Sequence, residues 1–124
     1  AEGDRELLRK VNLFDPSYQP SNFAKPDGTP LPLMTSEHLR IDLSKRTKEP
    51  MSFWHRNNDA DEVIICIEGS LTWETELGTV ELGRGEMLVI PRGVAHRSLP
   101  GREADTNVAV ELKVKGQLEW TPEA

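Results

Sequence analysis

The chain has 124 residues, 36% hydrophobic and 29% charged, with a formal net charge of -6 and one cysteine, Cys66. That length suits a single domain with one core. One cysteine rules out an intrachain disulfide, and an acidic chain without a basic block or stripe argues against nucleic acid and anionic membrane as partners. No apolar run approaches the ~18 residues of a membrane helix and no apolar leader opens the sequence, so a cytoplasmic location is expected.

Residues 1–30 read as an extended N-terminal arm. Positions 4–11 have the composition of one or two helical turns with Asp4 as cap, after which Asp15-Pro16, Gln19-Pro20, Lys25-Pro26, Asp27-Gly28 and Thr29-Pro30 interrupt any continuous element. Phe14, Tyr18 and Phe23 give the arm apolar anchors for the outside of a sheet or for a neighbouring subunit. From 31 to 124 the predicted elements are short strands at 33–34, 39–43, 51–55, 62–67, 71–76, 79–82, 87–90, 95–98 and 107–114. They begin about eight to twelve residues apart and are punctuated by Gly and Pro, as in sandwiches and barrels. The tracts at 38–43 and 107–114 alternate cleanly, which predicts one wet and one dry face for each.

Two of the three histidines, His55 and His96, bracket the most patterned part of the chain. After His55 come Asn57, Glu62 and Gly69; before His96 come Gly85, Pro91 and Gly93. This arrangement resembles the paired motifs of the cupin superfamily. There the first motif runs His, one residue, His, three or four residues, Glu, six residues, Gly; the second runs Gly, five, Pro, one, Gly, two, His, three, Asn. Asn57 replaces the second His of the first motif and Pro100 the final Asn of the second. The resemblance spans about a third of the chain and implies an all-β fold, a double-stranded β-helix or jelly-roll barrel.

Strand periodicity puts His55 and Asn57 on one face, and the polar stretch 58–61 is expected to form a hairpin that returns Glu62 on the adjacent strand. The resemblance then implies a metal site made by His55, Glu62 and His96. Asp61 is the alternative carboxylate, but Glu62 keeps the six-residue interval to Gly69. Two imidazoles and a carboxylate suit Fe(II), with Zn, Ni and Mn as alternatives. With Asn57 in place of an imidazole, one more position stays open for substrate and dioxygen.

The tracts His55-Arg56-Asn57, Asp61-Glu62-Val63-Ile64, 75–79 and 89–93 resemble homogentisate dioxygenase, although that family is several times longer and carries two cupin units. 3-Hydroxyanthranilate dioxygenase also uses two His and a Glu, but this chain has Met51 and Pro100 where that family has its substrate arginines. Asn57 and Arg97 are the candidate catalytic orienting groups, and Trp54 and Arg56 candidate pocket residues. Arg92 and Arg102 are further candidates to meet a substrate carboxylate. His38 reads as structural, Cys66 as a buried inert thiol, and Trp73 and Trp120 as core or interface aromatics.

The expected function is that of a metal-dependent cupin enzyme, an Fe(II) dioxygenase acting on a small aromatic or other chelating acid. The alternatives are a non-enzymatic small-molecule-binding cupin and a metal-dependent isomerase or lyase on a sugar or keto acid. The expected partners are a small-molecule substrate and a second copy of the chain, paired as a homodimer through an edge strand.

Overall fold

The computed structural model describes residues 7–23, 25–47 and 49–124. Eight strands follow in chain order: β1 (Leu31–Thr35), β2 (Leu39–Arg46), β3 (Asp61–Glu68), β4 (Ser70–Thr75), β5 (Gly78–Gly83), β6 (Met87–Ile90), β7 (His96–Pro100) and β8 (Asn107–Val114). All pair antiparallel, in a five-stranded sheet of order β1-β2-β8-β3-β6 and a three-stranded sheet of order β5-β4-β7. This is the all-β jelly-roll barrel expected from the sequence.

The inward faces of both sheets meet in an apolar cluster of Ile64, Cys66, Leu71, Trp73, Leu82, Ile90 and Ala109. β-Branched and aromatic side chains suit a pleated surface, which is why the run Val63–Ile67 forms an interior strand of the larger sheet, between β8 and β6. The step from that sheet to β4 needs Gly69. Its φ is +67°, and an added Cβ would collide with the side chain of Asn107. Asn107, fully buried, accepts from the Ser70 amide and donates to the carbonyls of Thr47 and Gly101, so one side chain ties three loops together.

Three sequence-based expectations are corrected. The first concerns 51–55, which is not a strand. Met51 N–H donates to Ser98 and Ser52 N–H to Pro26, so these amides serve different segments instead of one ladder, and only His55 makes a bridge, to His96. The second concerns 58–61, which is not a hairpin within one sheet. His55 lies beside β7 of the smaller sheet and β3 belongs to the larger, so this stretch crosses between sheets.

The third concerns the alternating tracts. Most polar residues of β2 and β8 do not face solvent: Asp42, Ser44, Lys45, Arg46, Asn107 and Glu111 are buried. Asp42, Glu111 and Ile64 are directly opposite one another across β2, β8 and β3, which puts all three on the inward face. The barrel interior is polar at one end, so alternation correctly separates the two faces but does not say which one water reaches.

Asp4, and with it the start of the turn expected over 4–11, lies outside the described residues; 9–11 are irregular. Further on, Ser21–Phe23 form a single 3-10 turn whose buried Asn22 donates to Ser44 Oγ and accepts from the Lys45 amide. β1 pairs with β2 only as far as Leu43, so the amide side chain takes over the role of a strand partner beyond that point. Lys45 Nζ also donates to the Asp15 carbonyl. Residues 15–23 therefore cover β2.

Candidate metal centre

His55, Glu62 and His96 each offer one ligand atom, and these atoms all lie within 4.8 Å of one another. Three separate elements bring them together. Glu62 is the second residue of β3 and points inward with Ile64 and Cys66; His96 opens β7; His55 is held to His96 by reciprocal backbone hydrogen bonds of 3.0 and 2.8 Å. Gly93, at φ +83°, donates its amide to the Asn57 carbonyl at 2.7 Å and so links the loops that carry the two histidines.

Glu62 and His96 are each only 1% exposed. His96 Nδ1 donates to the Val94 carbonyl at 2.9 Å, which fixes the ring and leaves Nε2 as the nitrogen facing Glu62. That Nε2 is 2.9 Å from Glu62 Oε2, yet the angle is not that of a hydrogen bond. Nδ1 of His55 is also buried and has no hydrogen-bond partner among the described residues. Two unsatisfied imidazole nitrogens beside a buried carboxylate form the donor set of a nitrogen- and oxygen-liganded divalent cation. The residues fit the group.

Electrostatics agree. Burial by itself would raise the Glu62 carboxyl, but His96 and Glu111 outweigh it and hold its pKa at about 2. Burial and the neighbouring Glu62 charge push Glu111 well above the ordinary carboxylate range, so of the two carboxyls Glu111 is the one that holds its proton to higher pH. For His96 burial acts downward, but the contact with Glu62 and its charge raise the net value; His55 is lowered, first by burial and then by the charge of His96. Glu62 is thus kept as a carboxylate, the form that binds a cation.

Asn57 stands beside this cluster and donates from Nδ2 to Glu62 Oε2 at 3.2 Å. Arg97 does not reach it. Alternation along β7 turns Arg97 outward where His96 turns inward, and its guanidinium meets Glu74 at 3.3 Å and stacks over the Trp54 ring at 5.7 Å. Trp54 is correspondingly surface-exposed, and Arg56 is exposed with Glu76 3.5 Å away. Arg92 holds Asp61 at 3.2 Å and donates to the carbonyls of Lys115 and Gly116, which occupies both that arginine and the alternative carboxylate.

Arg102, Trp120 and His38 are exposed, His38 in the turn between β1 and β2. Cys66 is fully buried and burial pushes its thiol up. Trp73 is buried with its ring centroid 5.7 Å from that of His96.

Sequence reasoning missed Asp42, Arg46, Glu111 and Lys113, which line or adjoin the same interior. The signal was present as the polar half of the alternation in β2 and β8. Only the closure of the barrel turns that half inward.

Residues 41–103 match the Cupin_2 family model, described as a cupin domain. The chain belongs to the cupin family. A relative from Saccharolobus solfataricus, provisionally named a dioxygenase, is 31% identical over 64 residues, which is 52% of this chain and 17% of that protein. The chain therefore spans about a sixth of the length of that curated relative. Among solved structures, a cupin-2 domain containing protein from Shewanella frigidimarina superposes with a TM-score of 0.59 at 24% identity over 92% of both chains. A Ralstonia eutropha protein, provisionally named a mannose-6-phosphate isomerase, superposes at 0.65 with 22% identity, covering 87% of this cupin and 99% of its own chain. At these identities the structural likenesses speak for the fold.

Proposed function

We propose that this cupin is a metal-dependent enzyme, an Fe(II) dioxygenase acting on a small aromatic or other chelating acid. The observation that carries the reading is the convergence of His55, Glu62 and His96, with ligand atoms within 4.8 Å of one another and imidazole nitrogens left unsatisfied in the interior. The provisional dioxygenase name of the Saccharolobus solfataricus relative agrees with it.

His55, Glu62 and His96 would hold the ion. When bound, Fe(II) supplies the electron transfer that lets dioxygen react with an organic acid, and its charge lowers the pKa of a hydroxyl on that acid. The chain supplies the rest. The Val94 carbonyl holds the His96 ring in one tautomer, and Asn57 steadies the Glu62 carboxylate. Glu111, pushed upward by burial and by Glu62, holds its proton to higher pH than Glu62 does, which limits the negative charge next to the ligand set.

Metal analysis of the purified protein combined with oxygen uptake tests this. Iron together with oxygen consumption in the presence of a hydroxy acid is the expected result. Zinc or nickel with isomerase or lyase turnover and no oxygen uptake would replace the dioxygenase reading, and absence of both metal and turnover would leave a binding protein.

A further inference from the structure

A second feature of the interior lies next to the ligand cluster. An enclosed cavity of about 50 Å³ is lined by Arg46, Met51, His55, Trp73, Ser98 and Glu111, among others. Arg46 and Trp73 are 2% and 3% exposed. Arg46 Nη1 and Trp73 Nε1 are both buried without a hydrogen-bond partner among the described residues. A guanidinium and an indole N–H can only donate, so each leaves a hydrogen bond for an acceptor to take up. Buried donors in native proteins are almost always met, which makes two unmet ones on a single cavity informative.

The acceptor is defined by charge, shape and size. The cavity wall carries two cations, Arg46 and Lys113, against one carboxyl, Glu111, so an anion balances it better than a neutral water, and the planar fork of an arginine matches a carboxylate. At ~10–15 Å³ of such space per water molecule the cavity has room for a head group of a few atoms. A phosphate would be bulkier and would bring more negative charge beside Glu62 and Glu111.

We propose that Arg46 and Trp73 anchor the carboxylate of a small organic acid in this cavity, beside the candidate ligand His55. This deepens the reading of the centre as one for small acids and rests on it for the acid's role as substrate; the anchoring itself needs no metal. His55 lines the cavity and the Trp73 ring lies 5.7 Å from that of His96, so an acid held there lies beside the candidate ligand cluster. Arginines 56, 92, 97 and 102 are not needed for this role.

The test is a nitrogen-resolved NMR titration of the full chain, metal-free and zinc-loaded, with acetate against its uncharged isostere acetamide. The chain has three tryptophans, and Trp73→Phe identifies the Trp73 indole signal by its disappearance. Acetate is expected to shift that signal saturably, with acetamide at least tenfold weaker. Arg46→Gln should weaken acetate binding tenfold or more while zinc stoichiometry stays the same. Equal responses to acetate and acetamide, a tighter response to phosphate than to acetate, or undiminished binding in Arg46→Gln would overturn the proposal. The comparison in the unmutated protein decides the matter even if Arg46→Gln does not fold. Zinc uptake without an acetate response removes the anchor alone. An acetate response without zinc uptake removes the metal reading and keeps the anchor.

Discussion

Along the inward face of β3, Glu62 is followed two residues later by Ile64 and then by Cys66, and the interior changes character over that step. The His96 end holds two imidazoles, Glu62 and Lys113, with Asp42 and Glu111 level with Ile64 and the polar lining continuing along β2 through Ser44 and Arg46; toward the Gly69 end the walls of β3, β4 and β5 hold Cys66, Leu71 and Leu82. Both ends obey the same alternation, so the backbone is indifferent to which chemistry fills it. The apolar end stabilises by removing hydrocarbon from water, whereas the polar end places charges where desolvation costs more than pairing returns unless a ligand completes the set. Stability and chemistry thus draw on different parts of one barrel interior, and substitutions in the two parts should have different consequences.

The largest expected effect is at the polar end. His55→Ala or His96→Ala should reduce zinc affinity by more than about 100-fold, beyond the ~10–100-fold typical of residues that only support a ligand. His38→Ala should leave it unchanged. A zinc titration of each variant measures this, and loading retained after either of the first two changes would show that the ligands have been misassigned.

At the apolar end the pattern should invert. Leu71→Ala, at a site 1% exposed, is expected to cost about 2–5 kcal/mol in urea unfolding while zinc stoichiometry holds. Loss of both together would mean that the two ends are not separable.

Proton linkage sharpens the contrast. His96 has its pKa raised above 6.5, so in the metal-free protein its proton contributes stability that is complete below 6.5 and is lost as pH rises through the folded value. His55, lowered by burial and by the charge of His96, works in the opposite sense. Zinc must displace the His96 proton, so zinc affinity should climb as pH rises through that titration, with proton release visible by calorimetry in buffers of different ionisation heat. Glu62, held at about 2 against an ordinary 4.5, contributes stability that is present above 4.5 and lost as pH falls toward 2. Zinc affinity that does not change across neutral pH would argue that His96 Nε2 is not a ligand.

The smallest effect is expected outside the barrel. Arg97→Ala removes a half-exposed pair with Glu74 and the stacking on Trp54, worth within about 1 kcal/mol. Zinc loading should not move. A large loss of turnover with intact zinc binding would bring Arg97 back as a catalytic group.

Much of this was legible in the chain because it depends on local chemistry. Glycines at 69, 85 and 93 adopt the positive φ values that their turns require, and the apolar run in β3 forms an interior strand of a sheet. The candidate ligands are readable because their spacing is tied to those turns. Residues 51–54 were misread as strand, since Met51 and Phe53 carry a strand-like pattern, but the Met51 amide bonds to Ser98 and the Ser52 amide to Pro26 instead of to one ladder. Arg46 and Glu111 were passed over because a polar residue in an alternating strand ordinarily faces water.

By itself the sequence determined the all-β class, the position of the turns and the identity of the three groups that could grip a cation, because backbone preference and motif spacing act over a few residues. Only the tertiary structure decided which face of β2 and β8 became the inside, and with it the buried company of Arg46, Glu111 and Lys113. The sign of a face is set by what packs opposite it, and in this barrel the opposing wall is built from residues far away in the chain.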